Sequence, residues 1–184
     1  ASHIAEIHPL VFTEFVFHTN FLNSWNSFQI VLLLSCFADL RVREDLVIYD
    51  PSTTDMKDQV VLSALMFLKN QYHEYEREET EGIPTICTGI SYKRTIQFDL
   101  LDKIRDWMEN VHDAGSAKAF LQLLWEEKEI SAGDFMKAML KISTIAKEWM
   151  AICEFEGHIE LMGKLQQVDS LILKHICTTQ SLYV

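Results

Sequence analysis

Glycine and proline, the residues that most often form turns, are scarce in this sequence. The chain has 184 residues but only six glycines and three prolines. Sandwiches and barrels of β-strands need turn residues at short intervals, so an all-β fold is not expected. Apolar residues instead recur with a helical period along nearly the whole chain. The sequence therefore predicts an all-α fold, a single domain over residues 1–184 with about seven or eight helices in one compact array.

Capping residues and helix breakers predict where these helices begin and end. The first is expected over residues 8–20, and Ser27 is predicted to cap a second that ends near Leu40. Asp55 is predicted to cap a long third helix that stops at Gly82. The remaining helices are expected over residues 97–112, 116–127, 134–153, 158–166 and 169–178, with Gly115, Gly133 and Gly157 in the breaks between them.

The chain is acidic, with 16 basic residues against 27 acidic ones and a net charge of −11. Basic patches drive nonspecific binding to nucleic acid, so the overall charge argues against it but leaves room for a local basic strip. Acidic residues are concentrated in the segment 74–81. That segment is either a protein-docking face or, more commonly for such a run, the solvated end of a long helix.

Two features of the sequence indicate where the protein resides. Its longest apolar run, residues 28–38, is about half the ~20 residues that a membrane helix needs, and it predicts a buried helix. The N-terminus lacks the basic and apolar regions of a signal peptide, so an intracellular setting, cytoplasmic or nuclear, is expected. It also lacks Met, so the chain is either processed or, as we expect, a piece of a longer protein. Reduced thiols are therefore expected at the four widely spaced cysteines, Cys36, Cys87, Cys153 and Cys177.

Motifs for catalysis and for metal binding are missing from the sequence. It has no phosphate-binding loop, no Gly-x-Gly-x-x-Gly and no Gly-x-Ser-x-Gly, so we predict no catalytic residue and no cofactor within the chain. Glu14 and His18, like Glu154 and His158, are four residues apart and can share a helical face. Two ligands do not make a metal site, and no metal is predicted.

The most informative segment is residues 134–153, where one predicted helix has two different faces. Its apolar face carries Phe135, Met139, Ile142, Ala146, Trp149 and Cys153, and its opposite face carries Lys137, Lys141, Thr144 and Glu148. The two lysines are one turn apart, about 6 Å along the axis, which is close to the spacing of phosphates on a single strand. The strip either touches a nucleic-acid backbone or is the ordinary solvent side of a core helix.

Short stretches at both ends of the chain carry a family resemblance. Together and in this order they resemble the C-terminal helical domain, called DSHCT, of superkiller-type and exosome-associated DExH-box RNA helicases. The stretches are Ala1-Ser2-x-Ile4, His8-Pro9-Leu10-x-Phe12-Thr13-Glu14, Leu33-Leu34-Ser35-Cys36-Phe37, Gly133-Asp134-Phe135-Met136-Lys137-x-x-x-Lys141, Gly157, Leu165 and Ser181-Leu182-Tyr183-Val184.

The resemblance implies a function for the chain. In this family the domain packs on the two RecA-like motor domains of the same chain, and one helix faces the single RNA strand during 3′-to-5′ unwinding. Lys137 and Lys141 match positions where the family has arginine, so they would bind RNA, with Thr144 as a weaker third residue. ATP and Mg would bind in the motor domains of the parent helicase, and exosome-type RNA decay machinery is an expected partner. Residues 1–7 would form the junction from a winged-helix domain.

The sequence also departs from the family pattern. Lysine at both strip positions keeps the charge but lacks the planar guanidinium of arginine, which grips phosphate with two hydrogen bonds. Asp134 replaces a small residue, and the family's Trp-x-x-Gly is represented by His112-x-x-Gly115 with Trp107 displaced. Two alternatives stay open. One is a stand-alone acidic adaptor that binds protein and never meets RNA, favoured by the net charge of −11 and the acidic segment 74–81, and the other is a remnant that has lost its motor.

Overall fold

The structure, a computed structural model, describes residues 24–82 and 96–174. Within these ranges every regular element is helical, which confirms the predicted all-α class. Two single turns of 3-10 helix, Glu44–Leu46 and Pro51–Thr53, lie between the first two helices. The seven α-helices in the described ranges are α1 (Ser27–Ser35), α2 (Gln59–Gly82), α3 (Leu101–Asn110), α4 (Ala114–Lys128), α5 (Ala132–Glu156), α6 (Ile159–Gln166) and α7 (Val168–Ile172).

Helix α1 lies at the centre of the fold. Its apolar run Ile30–Leu34 is at most 1% exposed, which confirms the predicted buried helix. A helix that is apolar on all sides must be covered on all sides, and α2, α3, α5, α6 and α7 all contact it. No helix in the described part of the chain has both the length and the apolarity to cross a bilayer.

The start and end of α1 differ from the prediction. Asn26, not Ser27, is the N-cap: its Oδ1 accepts a hydrogen bond from Gln29 N at 2.8 Å, and Gln29 Oε1 accepts one from Asn26 N at 3.0 Å. The prediction for Ser27 is wrong because its hydroxyl is used elsewhere, donating to the Lys164 carbonyl oxygen at 2.9 Å. The helix also ends at Ser35 rather than near Leu40, since the chain turns there and Asp39 has a left-handed φ of 55°.

The N-terminus of α2 is likewise capped by a residue other than the predicted one. Asp58 Oδ1 accepts hydrogen bonds from Val60 N at 3.0 Å and Val61 N at 3.2 Å. Asp55 lies outside the helix, where its backbone carbonyl accepts a hydrogen bond from Arg105. The prediction that Asp55 caps this helix is therefore wrong, whereas its predicted end at Gly82 is confirmed.

Only one of the three glycines predicted to separate helices does so. Gly157 ends α5 with a φ of 80°, a backbone conformation that L side chains rarely adopt. Gly115 lies inside the first turn of α4, because Asp113 caps that helix by accepting a hydrogen bond from Ser116 N at 2.7 Å. Gly133 lies inside the first turn of α5 for the same reason, with Ser131 as the cap.

Several predictions fall outside the described residues. The helix expected over residues 8–20 is one of them, as is the part of the last predicted helix beyond residue 174. A third is the segment predicted from the sequence to be irregular over residues 82–95, of which only Gly82 is described. Cys87 and Cys177 also lie there, whereas Cys36 and Cys153 are both free and buried.

An aromatic cluster supports the inner face of α5. The rings of Trp107, Phe120 and Phe135 pack edge-on or tilted, with centroids 5.2–5.3 Å apart. Trp107 Nε1 also donates a hydrogen bond to the Ile172 carbonyl oxygen at 2.9 Å, which ties α7 to α3. All six residues of the predicted apolar face are at most 5% exposed, so that prediction is confirmed for Phe135, Met139, Ile142, Ala146, Trp149 and Cys153.

Replacing Trp149 by alanine should lower the free energy of unfolding by about 3–5 kcal/mol, because it leaves a cavity in the core. Trp125→Ala is the matched control, since the Trp125 side chain is 56% exposed and its loss should cost less than about 1 kcal/mol. Urea unfolding followed by circular dichroism measures both. Equal losses for the two variants would mean that α5 is rotated from the orientation described above.

Asp58→Ala should destabilise the protein by about 1 kcal/mol or more, because two backbone N–H groups of α2 lose their acceptor. The same carboxylate accepts a hydrogen bond from Gln29 Nε2 at 2.9 Å, and the loss of this bond should lower the free energy of unfolding further. Asp58→Asn retains a capping oxygen and should recover most of the loss in urea unfolding. Asp55→Ala should have a smaller effect; a larger loss there than at Asp58 would contradict the observed helix start.

Cys36 should resist alkylation in the folded protein. Burial raises the pKa of its thiol, a hydrogen bond with Ser35 offsets part of that increase, and the negative charge of Asp99 adds a smaller increase. The reactive thiolate is formed only above the pKa, so at about pH 8 almost no thiolate is present. Iodoacetamide treatment followed by peptide mass spectrometry should find Cys36 modified in concentrated urea and unmodified without it. Equal labelling under both conditions would show that the thiol is accessible.

Candidate nucleic-acid interface

The candidate interface lies on α5, the longest helix of the described residues at 25 residues. Ser131 Oγ accepts a hydrogen bond from Asp134 N at 3.1 Å and so fixes where the helix begins. The apolar face is buried against α1, α6 and α7, which sets the rotation of the helix about its axis. The strip predicted on the opposite face is therefore held in a defined orientation.

Lys137 and Lys141 do lie on one face of α5, one turn apart, but their environments differ. Lys137 is exposed and makes no ion pair with any residue of the described ranges. The Lys141 side chain is 20% exposed, and its Nζ lies 3.6 Å from Asp39 Oδ2. A phosphate approaching this strip would reach Lys137 directly and would share Lys141 with the carboxylate.

Thr144 and Glu148 continue the same face and are both half-buried. The Thr144 hydroxyl donates its hydrogen to the Leu140 carbonyl oxygen, one turn back, at 2.9 Å. With that proton engaged, Thr144 has less to offer an anionic phosphate than the lysines have. Glu148 adds a negative charge, so the cationic part of the strip ends near Lys141.

A loop that the sequence did not indicate runs beside this strip. Asp39 contacts Lys141, and Arg43 contacts Glu129, the residue that ends α4, with 2.7 Å between Nη1 and Oε1. Arg43 also binds Asp45, with 2.6 Å between Nε and Oδ1. This contact raises the pKa of Arg43 and lowers the pKa of Asp45. No local pattern connects residues 39–43 to α5, because about a hundred positions separate them along the chain.

The histidine pairs considered for metal binding do not form a metal-binding cluster in the part that the structure describes. His158 Nε2 lies 3.2 Å from Glu156 Oε2, so its neighbour is not the predicted Glu154. The residues from 24–82 and 96–174 bring together no group of three or more His, Cys, Asp or Glu side chains suited to an ion. Glu14 and His18 lie outside these ranges.

A second concave surface is lined mainly by carboxylates. It is lined by Arg105, Lys103 and Asn110 together with four carboxylates, those of Asp55, Asp102, Asp106 and Glu109. Asp102 Oδ1 is buried and has no hydrogen-bond donor among the described residues. Excess negative charge makes this hollow unsuitable for a phosphate backbone, which leaves α5 as the better candidate for nucleic acid.

The acidic segment 74–81 continues α2 as a helix up to Gly82. Glu74 and Arg77 within it are exposed to solvent. Exposure at these two positions fits both interpretations of the segment, a solvated helix end and a protein-docking face.

Comparison with known families gives a match over nearly the whole sequence. A family model described as the DSHCT (NUC185) domain matches residues 1–179. No curated protein matches the sequence at a significant level. Because the family model extends far beyond half of the chain, it confirms the resemblance found in the sequence. The chain therefore belongs to the DSHCT family, the C-terminal domain of superkiller-type helicases.

Proposed function

We propose that this domain contacts the single RNA strand of an ATP-driven superkiller-type helicase through the lysine strip of α5, formed by Lys137 and Lys141. The observation that carries the proposal is a pair of lysines one turn apart on the outer face of a helix whose inner face is buried. Lys137 is exposed, and Lys141 is partly buried beside Asp39. Membership of the family supplies the helicase context.

Lysine ammonium groups suit such a role because they contact phosphates without selecting a base sequence. A motor that moves along RNA needs contacts that form and break at every nucleotide, and phosphates are the part that repeats. Each phosphate that a cation neutralises releases counterions, so binding weakens as salt concentration rises. The spacing of about 6 Å lets the two lysines bind neighbouring phosphates of one strand.

The domain itself does no chemistry in this proposal. ATP and Mg bind in the RecA-like motor domains of the parent chain, on which the domain packs. It closes the RNA channel while ATP cycling moves the strand in the 3′-to-5′ direction, and Thr144 makes a weaker contact beyond Lys141. RNA decay machinery of the exosome type is the proposed partner of the whole helicase.

An adaptor that binds protein instead of RNA is the second candidate. The net charge of −11 and the acidic end of α2, where Glu74 is exposed, favour it. This alternative makes no use of the lysine strip, so removing the strip would leave an adaptor unaffected. Mutation of the strip in the full-length helicase therefore distinguishes the two candidates.

Replacing Lys137 and Lys141 together by alanine in the full-length helicase should weaken binding of a single-stranded oligouridylate. The slope of log K against log salt should become shallower by about 1.4, which corresponds to two phosphate contacts on a single strand. RNA-stimulated ATP hydrolysis and unwinding should fall with binding. Fluorescence anisotropy at several salt concentrations measures the slope.

Lys118→Ala/Lys147→Ala is the matched control, because it removes the same charge from exposed lysines outside the strip, on α4 and on another face of α5. This control should keep the wild-type salt slope. Wild-type binding, ATPase and unwinding in the strip variant would refute the RNA contact and favour the adaptor.

A further inference from the structure

We propose that Arg41 is a third phosphate-binding residue beside Lys137 and Lys141, and that it supplies the guanidinium group that the strip itself lacks. The inference rests on the proposed RNA contact of α5. It adds a residue from a different part of the chain, the loop that follows α1, to the surface that would hold the strand.

The pattern of burial fixes the direction in which Arg41 points. Leu40 is 7% exposed and Val42 packs against the hydrophobic core, whereas Asp39, Arg41 and Arg43 have their side chains towards solvent. Arg41 therefore shares a side with Asp39 and Arg43.

Asp39 makes an ion pair with α5, and Arg43 makes one with the short connection before it. Asp39 Oδ2 lies 3.6 Å from Lys141 Nζ, and Arg43 Nη1 lies 2.7 Å from Glu129 Oε1, so the loop runs from Lys141 towards the N-terminal end of α5. Two residues of chain span at most about 7 Å, so the Arg41 backbone lies within that distance of both Asp39 and Arg43. Lys137 is one turn, about 6 Å, from Lys141 towards the N-terminus of α5, and so lies between the two points that the loop contacts. We infer that Arg41 lies beside it.

Arg41 is available to a ligand, while the backbone around it is held in place. Its side chain is exposed and makes no ion pair within the described residues, unlike that of Arg43. Leu40, the residue before Arg41, is held in place because its backbone N donates a hydrogen bond to Gln97 Oε1 at 2.9 Å. Asp39 holds the turn with a φ of 55°, a conformation that aspartate tolerates better than most residues.

A guanidinium group at this position changes what the strip can do. Lysine binds phosphate as a point charge, whereas arginine offers two parallel N–H donors to two oxygens of one phosphate. Arg41 beside Lys137 would hold one phosphate in a fixed orientation, while Lys141 binds the next. Asp39 would limit the attraction at Lys141, so the firmest contact is at the Arg41 and Lys137 end.

The test uses the full-length helicase, a single-stranded oligouridylate, and the variants Arg41→Ala, Arg41→Lys and Lys118→Ala. Arg41→Ala should weaken binding about fivefold and make the salt slope shallower by about 0.7, one phosphate contact. Arg41→Lys should keep the wild-type slope, because the charge remains, but still bind about threefold more weakly because the paired donors are lost. Lys118→Ala, with the same charge change outside the strip, should match the wild type.

Any other result shows which part of the proposal is wrong. Wild-type binding by Arg41→Ala, with weak binding by Lys137→Ala/Lys141→Ala, would overturn the role of Arg41 and leave the proposed function standing. Wild-type binding by both would overturn the RNA contact itself. Wild-type affinity in Arg41→Lys, with a loss in Arg41→Ala, would overturn the paired hydrogen bonds and reduce Arg41 to a simple charge.

Discussion

The fold depends on keeping water away from α1. Residues Ile30–Leu34 form a helix with no polar side, so five other helices must surround it. The few polar groups at its start are all engaged: Asn26 caps the helix, and Ser27 binds the Lys164 carbonyl oxygen on α6. The positions of α5 and α6 therefore follow from the need to cover α1. The face of α5 that points away from α1 is the face that remains exposed to solvent.

Helix α5 combines a structural role with a candidate binding role because its two faces are chemically distinct. The inner face joins the aromatic cluster of Trp107, Phe120 and Phe135, where edge-on ring packing allows little rotation. The outer face carries Lys137 and Lys141 at positions that the inner face determines. A cation pair on a loosely packed helix would lose conformational entropy on binding; here most of that entropy is lost during folding.

Much of this could be predicted from the sequence, and the limits have physical causes. The apolar face of α5 was predictable because helical periodicity is a local property. The start of a helix was not, because neighbouring residues such as Asn26 and Ser27 can both cap, and tertiary contacts choose between them. The contact between Asp39 and Lys141 joins distant parts of the chain, so no local pattern reveals it. The role of Lys137, Lys141 and Thr144 in RNA binding remains a prediction.

The length of α5 has a mechanical consequence. From Lys137 to Phe155 the helix extends about 27 Å without an internal glycine or proline. Such a rod does not bend easily, so its two ends cannot be displaced independently. Phe155, 92% exposed at the far end, therefore moves together with the lysines. A shift of α5 along its axis at the lysine end would therefore be carried to Phe155 at the other end.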